Sequence, residues 1–179
     1  GDGVPAEQAA LHSPFGVDFD SAGNMYIVEL SGGHLHRIDA KGVFSTLGGN
    51  GKKGDAGDNG PVAQAVFNGM HHLAVGPNDQ IYIADTWNNR IRRIDSKTGT
   101  ITPFAGTGKK GYSGDGRPAL AADCGGIYCL AFDSAFKKLY FADLDNRRIR
   151  AVNMETGIVE TVAGTGKRGV PTDGADARS

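Results

Sequence analysis

The chain has 179 residues, with 19 Lys plus Arg against 20 Asp plus Glu and a formal net charge of −1. That length allows one ordinary domain, and the charge balance excludes a strong overall attraction to nucleic acid or to an anionic membrane. No apolar run approaches the roughly 20 residues of a membrane-spanning helix, whereas 28 glycines and short alternating apolar runs suit an all-β chain with many turns.

Three stretches are copies of one another, about 57 residues apart: PFGVDFDSAGNMYIVELSGGHLHRID from Pro14, MHHLAVGPNDQIYIADTWNNRIRRID from Met70 and IYCLAFDSAFKKLYFADLDNRRIRAVN from Ile127. In the first copy, short strands are expected at 17–19, 25–28, 35–38 and 43–46. In the second copy, the turn cluster Gly76-Pro77-Asn78-Asp79, the Asp85-Thr86-Trp87-Asn88-Asn89 break and Lys97-Thr98-Gly99 separate strands at 73–75, 81–84, 90–95 and 101–104. The third copy repeats them at 130–132, 139–142, 149–152 and 158–161. Four short strands joined by tight turns form a meander. Repeated along a chain, such sheets form a β-propeller whose blades bury their faces on one another. The expected blades lie at about 14–47, 71–104 and 128–162, within a single unit spanning 1–179.

A connector recurs in the same phase: GDGVPA at Gly1, GDNGPV at Gly57, GDGRPA at Gly114 and a degraded TDGADA at Thr172. About 24 residues run from Leu47 to His71, long for a structureless loop. A short helix is expected there, capped by Asp58 or Asn59, with Pro61 in its first turn. Cys124 and Cys129 lie five apart and read as two half-buried thiols, with a disulfide as the alternative.

The chain resembles the NHL-repeat propellers. The resemblance is carried by IYIADTWNNRIRRID at 81–95, LYFADLDNRRIRAVN at 139–153 and the AGTGKKGYSGDGRPA connector at 105–119. It implies a propeller that usually has six blades, in a family of protein- and RNA-binding scaffolds, extracellular sensors and, among related propellers, lyases and lactonases. The first copy departs from the pattern, with Glu29-Leu30-Ser31-Gly32-Gly33-His34 where the others have Asp-x-x-Asn. Three blades leave two sheet faces without neighbours. A two-fold homodimer that completes a six-bladed ring is therefore expected, against the alternative of a fragment of a longer polypeptide.

Chain direction places the long connectors and the Asp-x-x-Asn turns on one rim, expected to be the functional one. Lys109 and Lys110, like Lys52-Lys53 and Lys167-Arg168, read as solvated turns or as an anion-binding feature. Asp85 with Asn88, and Asp143 with Asn146, are expected to satisfy turn amides, and Arg90 and Arg148 to pair locally. The run 55–60 has a faint calcium-loop look without the ligand spacing. Phe15-Gly16, His71-His72 and Tyr128-Cys129 occupy equivalent positions where the innermost strands begin, near the axis of a ring. Imidazole is a common metal ligand, so His71 and His72 are the candidate ligands for a metal ion in the central channel. The resemblance to related amidating lyases implies the same placement for a catalytic zinc. Channel histidines bonded to water or backbone, without metal, are the other reading, and no other cofactor is expected. Trp87 is a binding hot spot if exposed and a packing residue if buried.

The leading expectation is a non-catalytic module that presents a loop rim, including His71, His72, Trp87, Lys109, Lys110 and Tyr128, to a protein, peptide or carbohydrate partner. The alternative is a metal-dependent lyase or hydrolase centred on the channel. Neither nucleic acid nor a membrane is expected as a partner. The compartment is left open, secreted and periplasmic settings included.

Overall fold

Alternating apolar residues and turn glycines organise the chain into three antiparallel sheets in the computed structural model, which describes residues 1–169 and 173–178. The first sheet contains β1 (Pro14–Phe19), β2 (Met25–Glu29), β3 (Leu35–Ile38) and β4 (Phe44–Gly48), each paired with the next in sequence. In the second, β5 (Gly60–Pro61) precedes the meander β6 (Met70–Val75), β7 (Ile81–Asp85), β8 (Arg90–Ile94) and β9 (Thr100–Ala105). In the third, β10 (Arg117–Pro118) precedes β11 (Ile127–Phe132), β12 (Lys138–Asp143), β13 (Arg148–Asn153) and β14 (Ile158–Ala163).

The connectors differ from expectation. Gly60-Pro61 pairs antiparallel with Ile101 and Thr100, adding a short fifth strand to the outer edge of the second sheet, and Arg117-Pro118 does the same against Val159 and Ile158. In place of a capped helix, a single 3₁₀ turn, Val62–Gln64, follows Pro61, and no side chain caps it. Asn59 is left-handed at φ 62°, and Asp58 is engaged by arginines, so neither residue is available as a cap. The pattern Pro-Val-Ala-Gln-Ala supplies apolar residues for one turn only, and Val62 and Ala65 enter the core between the first and second sheets. The start of the degraded fourth connector, at Thr172, lies outside the described residues.

Two cores result, one at each junction between neighbouring sheets. Tyr26, Val28 and Leu35 of the first sheet pack with Leu73, Ile81, Ile83, Ile94 and Ile101 of the second, and the connector adds Val62 and Phe67. Ala74, Tyr82, Ala84, Ile91 and Ala105 pack with Ile127, Leu130, Leu139, Phe141, Val152 and Val159 of the third. Period-two strand geometry sends alternate residues to opposite faces, so the middle sheet feeds both cores. Each fully buried Leu, Ile or Phe contributes roughly 1.5–3 kcal/mol.

Cys124 is buried and Cys129 exposed, and both are free thiols. The expectation of two half-buried thiols therefore fails for each. Cys124 precedes β11 and faces the core, whereas Cys129 lies on the outer face of the third sheet, where no further sheet covers it. Burial pushes the Cys124 thiol up to about 12.

Candidate functional site

The innermost strand of each sheet begins with a β-bulge. Pro14 pairs with Glu29 and Gly16 with Val28, which leaves Phe15 unpaired. Met70 pairs with Asp85 and His72 with Ala84, which leaves His71 unpaired. Between the Ile127–Asp143 and Leu130–Phe141 pairs, Tyr128 and Cys129 stand against one residue. A bulge bends its strand and re-aims a side chain. Here the three bulges bring Phe15, His71 and Tyr128 together. The His71 ring lies 5.0 Å from Phe15, edge-on, and 4.3 Å from Tyr128.

Trp87 joins this group from the 3₁₀ turn Thr86–Asn88, its ring 5.6 Å from His71 and edge-on. Gly69, at φ +73°, lies beneath the indole, where a Cβ would sit 2.3 Å from Trp87 Cε3. The Lys53 ammonium stands 5.4 Å above the same ring. Phe15 is 60% and Trp87 45% exposed, so the cluster presents apolar rings to solvent. His71 is buried at its centre. Its Nδ1 lies 3.0 Å from the Gly69 carbonyl and 2.9 Å from Thr86 Oγ1.

His72 points the other way. The Leu130 amide approaches its Nδ1 at 3.4 Å, and burial lowers its pKa against the opposing pull of Asp18. Among the described residues, neither His71 nor His72 belongs to a group of three metal-ligating side chains. Lys109 and Lys110 are exposed, and the Lys110 ammonium lies 2.8 Å from Asp145 Oδ2. Thus His71, Trp87 and Tyr128 converge, His72 lies between the second and third sheets, and Lys109 and Lys110 stand apart on a connector turn.

Beneath this rim runs a second, buried set of polar residues. Asp85 accepts the Asn68 amide at 2.8 Å and Asn88 Nδ2 at 2.9 Å, and Asn88 also donates to the Gly54 carbonyl. Asp143 repeats this with the Gly125 amide and Asn146, which donates to the Gly111 carbonyl. These side chains therefore do tie the turn to the connector. Arg92 and Arg150, both fully buried, were missed in the sequence. Their signal is an arginine at the middle of β8 and of β13, in the same register against Ile83 and Phe141. Arg92 donates to Asp58, Val66 O and Ala56 O, and Arg150 to Asp115, Asp123 O and Ser113 O. Arg90 pairs with Asp55 and Asp58, so the carboxylates of the calcium-like run are taken by guanidinium groups. Despite Asn68, Asn88 and the arginines, burial pushes the Asp85 carboxyl up to about 6.

The first sheet keeps these positions and changes their chemistry. Glu29 stands opposite Pro14 as Asp85 stands opposite Met70, and His36 pairs with Ile27 as Arg92 pairs with Ile83. His34, whose carbonyl accepts the Glu29 amide, takes the place of Arg90. Glu29 Oε1 accepts the His12 amide at 2.6 Å, and His34 Nδ1 lies 3.1 Å from Glu29 Oε2. Burial raises the Glu29 pKa, but the His12 amide and both imidazoles outweigh it and hold the carboxyl below its ordinary value.

Residues 67–94 match the NHL repeat family model. The chain is 32% identical over 107 residues to NHL repeat-containing protein 2 of Gallus gallus, a match that covers 58% of this chain and 14% of that protein. Among solved structures, it is similar to a structural genomics protein of unknown function from Bacteroides thetaiotaomicron, with a TM-score of 0.65 at 19% identity over 84% of this chain and 36% of that one. It is also similar to a chain of a nidogen/laminin complex, with a TM-score of 0.59 at 14% identity over 84% of this chain and 48% of that one. These structural neighbours are β-propeller proteins, and the likeness to them is one of fold. The repeated meanders, the matched repeat and the curated relatives agree: the chain carries an NHL repeat at residues 67–94, is similar to NHL repeat-containing proteins, and has the antiparallel sheets of a β-propeller protein.

Proposed function

We propose that the chain is a protein-interaction module that grips an apolar or aromatic side chain of a peptide or protein partner on the rim formed by Phe15, His71, Tyr128 and Trp87. The observation that carries this reading is the convergence of three bulged residues from three sheets beneath a half-exposed tryptophan. Large rings held by packing present contact area at little entropic cost, and exposed tryptophans are enriched among residues that dominate binding energy. Phe15 and Trp87 supply the open contact surface, His71 fixes the spacing between the rings, and Lys53 adds a cation at the edge. The test is selection of a displayed peptide library on the wild-type protein, with the selected peptides then measured against Trp87→Ala and Phe15→Ala. Peptides with an aromatic or aliphatic anchor should lose at least about tenfold in affinity, a typical hot-spot loss. Undiminished binding to both variants sinks the assignment.

We infer also that a second copy of the chain covers the two outer sheet faces and completes the ring. The face through which the second sheet buries Ala74, Tyr82, Ala84, Ile91 and Ala105 has a counterpart on the third sheet. There, Ala131 and Ile149 are exposed, and Tyr140, Ala142 and Ala163 only half-buried. At the other end, Val17 and Phe19 are 50% and 52% exposed, whereas Leu73, the counterpart of Val17, is fully buried. Contiguous apolar faces of this kind mark association sites. Light scattering after size exclusion should give twice the 18.7 kDa chain mass, and Ile149→Lys should return it to a single chain. A soluble wild-type monomer refutes the closure.

A further inference from the structure

We propose that Glu29, His34 and His36 form a binding site for a divalent transition-metal ion of the zinc class. One ligand atom from each residue lies within 4.8 Å of the others, and this is the one such group among the described residues. The set is two imidazoles and a carboxylate, a donor combination that suits zinc and its first-row neighbours.

Three observations favour a metal over a purely structural trio. First, His36 Nε2 is buried, has no hydrogen-bond partner among the described residues, and lies 3.4 Å from Glu29 Oε1. Donors about 2.0–2.1 Å from a tetrahedral ion are separated from each other by about 3.4 Å, so this spacing already fits two adjacent ligands. Second, the other nitrogen of His36, Nδ1, lies 3.1 Å from Thr46 Oγ1, and the His12 amide holds Glu29 Oε1. Outer hydrogen bonds of this kind orient metal ligands and fix the tautomer. Third, the charge is uncompensated. In the second sheet the equivalent buried carboxylate, Asp85, has Arg90 and Arg92 within 3.9 Å and 3.6 Å. In the first sheet both arginines are histidines, and among the described residues no Lys or Arg pairs with Glu29, which is 2% exposed. A bound divalent ion supplies that charge. Gly32 leaves the room: a Cβ there would meet Glu29 Oε2 at 1.9 Å. His34, a third exposed, opens the site to solvent, and a water completes the coordination.

The test is calorimetric titration of chelator-treated protein with Zn²⁺, using wild type, His34→Ala, Glu29→Gln and the His71→Ala, His72→Ala double variant. Imidazole ¹⁵N shifts of His34 and His36 provide a second readout. One Zn²⁺ per chain should bind to the wild type and to the double variant. Affinity should fall at least tenfold in His34→Ala, a partly exposed position whose loss leaves the sheet intact, and in Glu29→Gln. The imidazole shifts should move at saturation. No saturable binding to the wild type overturns the proposal. So does full binding to His34→Ala, or a loss confined to the His71, His72 double variant.

Discussion

Replacing Arg92 with Met tests whether the buried guanidinium joins the connector to the second sheet. The side chain is fully buried and makes charge-assisted bonds at 2.8–2.9 Å to Asp58, Val66 O and Ala56 O, with Asp85 3.6 Å away and the Phe67 ring 4.9 Å below. Methionine keeps most of the volume and removes all the donors. The Val66 carbonyl loses its partner, whereas the Ala56 carbonyl keeps the Val66 amide, and a group left buried without a partner costs about 1–3 kcal/mol. Asp85 retains Asn68 and Asn88 but loses its nearest cation, and breaking a buried ion pair from one side costs about 3–5 kcal/mol. Because these terms overlap, the expected loss is about 3–5 kcal/mol. Urea unfolding followed by circular dichroism measures it as a lower midpoint at unchanged slope. Adding Asp85→Asn removes the stranded charge, so the double variant should recover about 1 kcal/mol or more. A loss below about 1 kcal/mol in Arg92→Met, the value of an exposed ion pair, refutes the reasoning. The exposed Lys138–Glu160 pair, at 2.6 Å, is the internal comparison.

Gly69→Ala should destabilise the fold by about 1–3 kcal/mol, because the residue is left-handed and its new methyl meets the indole. The same variant should shift the emission of Trp87, the sole tryptophan, and an unchanged spectrum with an unchanged melting temperature counts against the packing described. His72 has its pKa lowered by burial, so the unfolded chain binds more protons than the native one just below the ordinary histidine value. Its contribution is complete above about pH 6.5 and is lost as the pH falls through the lower native value. The stability difference between wild type and His72→Gln should therefore move against the wild type on acidification, and a flat difference between pH 7 and 5 contradicts it. A thiol reagent should modify Cys129 in the native protein and spare Cys124 until denaturant is added; equal labelling rates would show that Cys124 is not enclosed.

The sheets were legible because strand formation is local. Period-two alternation and turn residues such as Gly76-Pro77 and Lys97-Thr98-Gly99 fix β6 to β9 whatever packs against them, and the repeat transfers that reading to the other copies. The family resemblance was legible for the same reason. The short helices of the connectors were legible, but not that they are uncapped single 3₁₀ turns, because a Pro-Val-Ala run looks the same whether it starts an α-helix or makes one turn; the pairing of Gly60-Pro61 with β9 decides it. The roles of Arg92 and Arg150 were also hidden, since a charged residue in a strand ordinarily faces water, and only the folded connector brings carbonyls around it. Equivalence of Phe15, His71 and Tyr128 could be read from the repeat, but their convergence required the bulges and the radial approach of three sheets. The cluster at Glu29 could have been sought in the first copy's departure from Asp-x-x-Asn. It was overlooked because His34 and His36 carry no motif of their own, and they meet Glu29 only through the β2–β3 hairpin. Sequence determined where strands form and how often, because those choices depend on neighbours along the chain. Tertiary structure decided which polar groups are buried together, because that depends on neighbours across it.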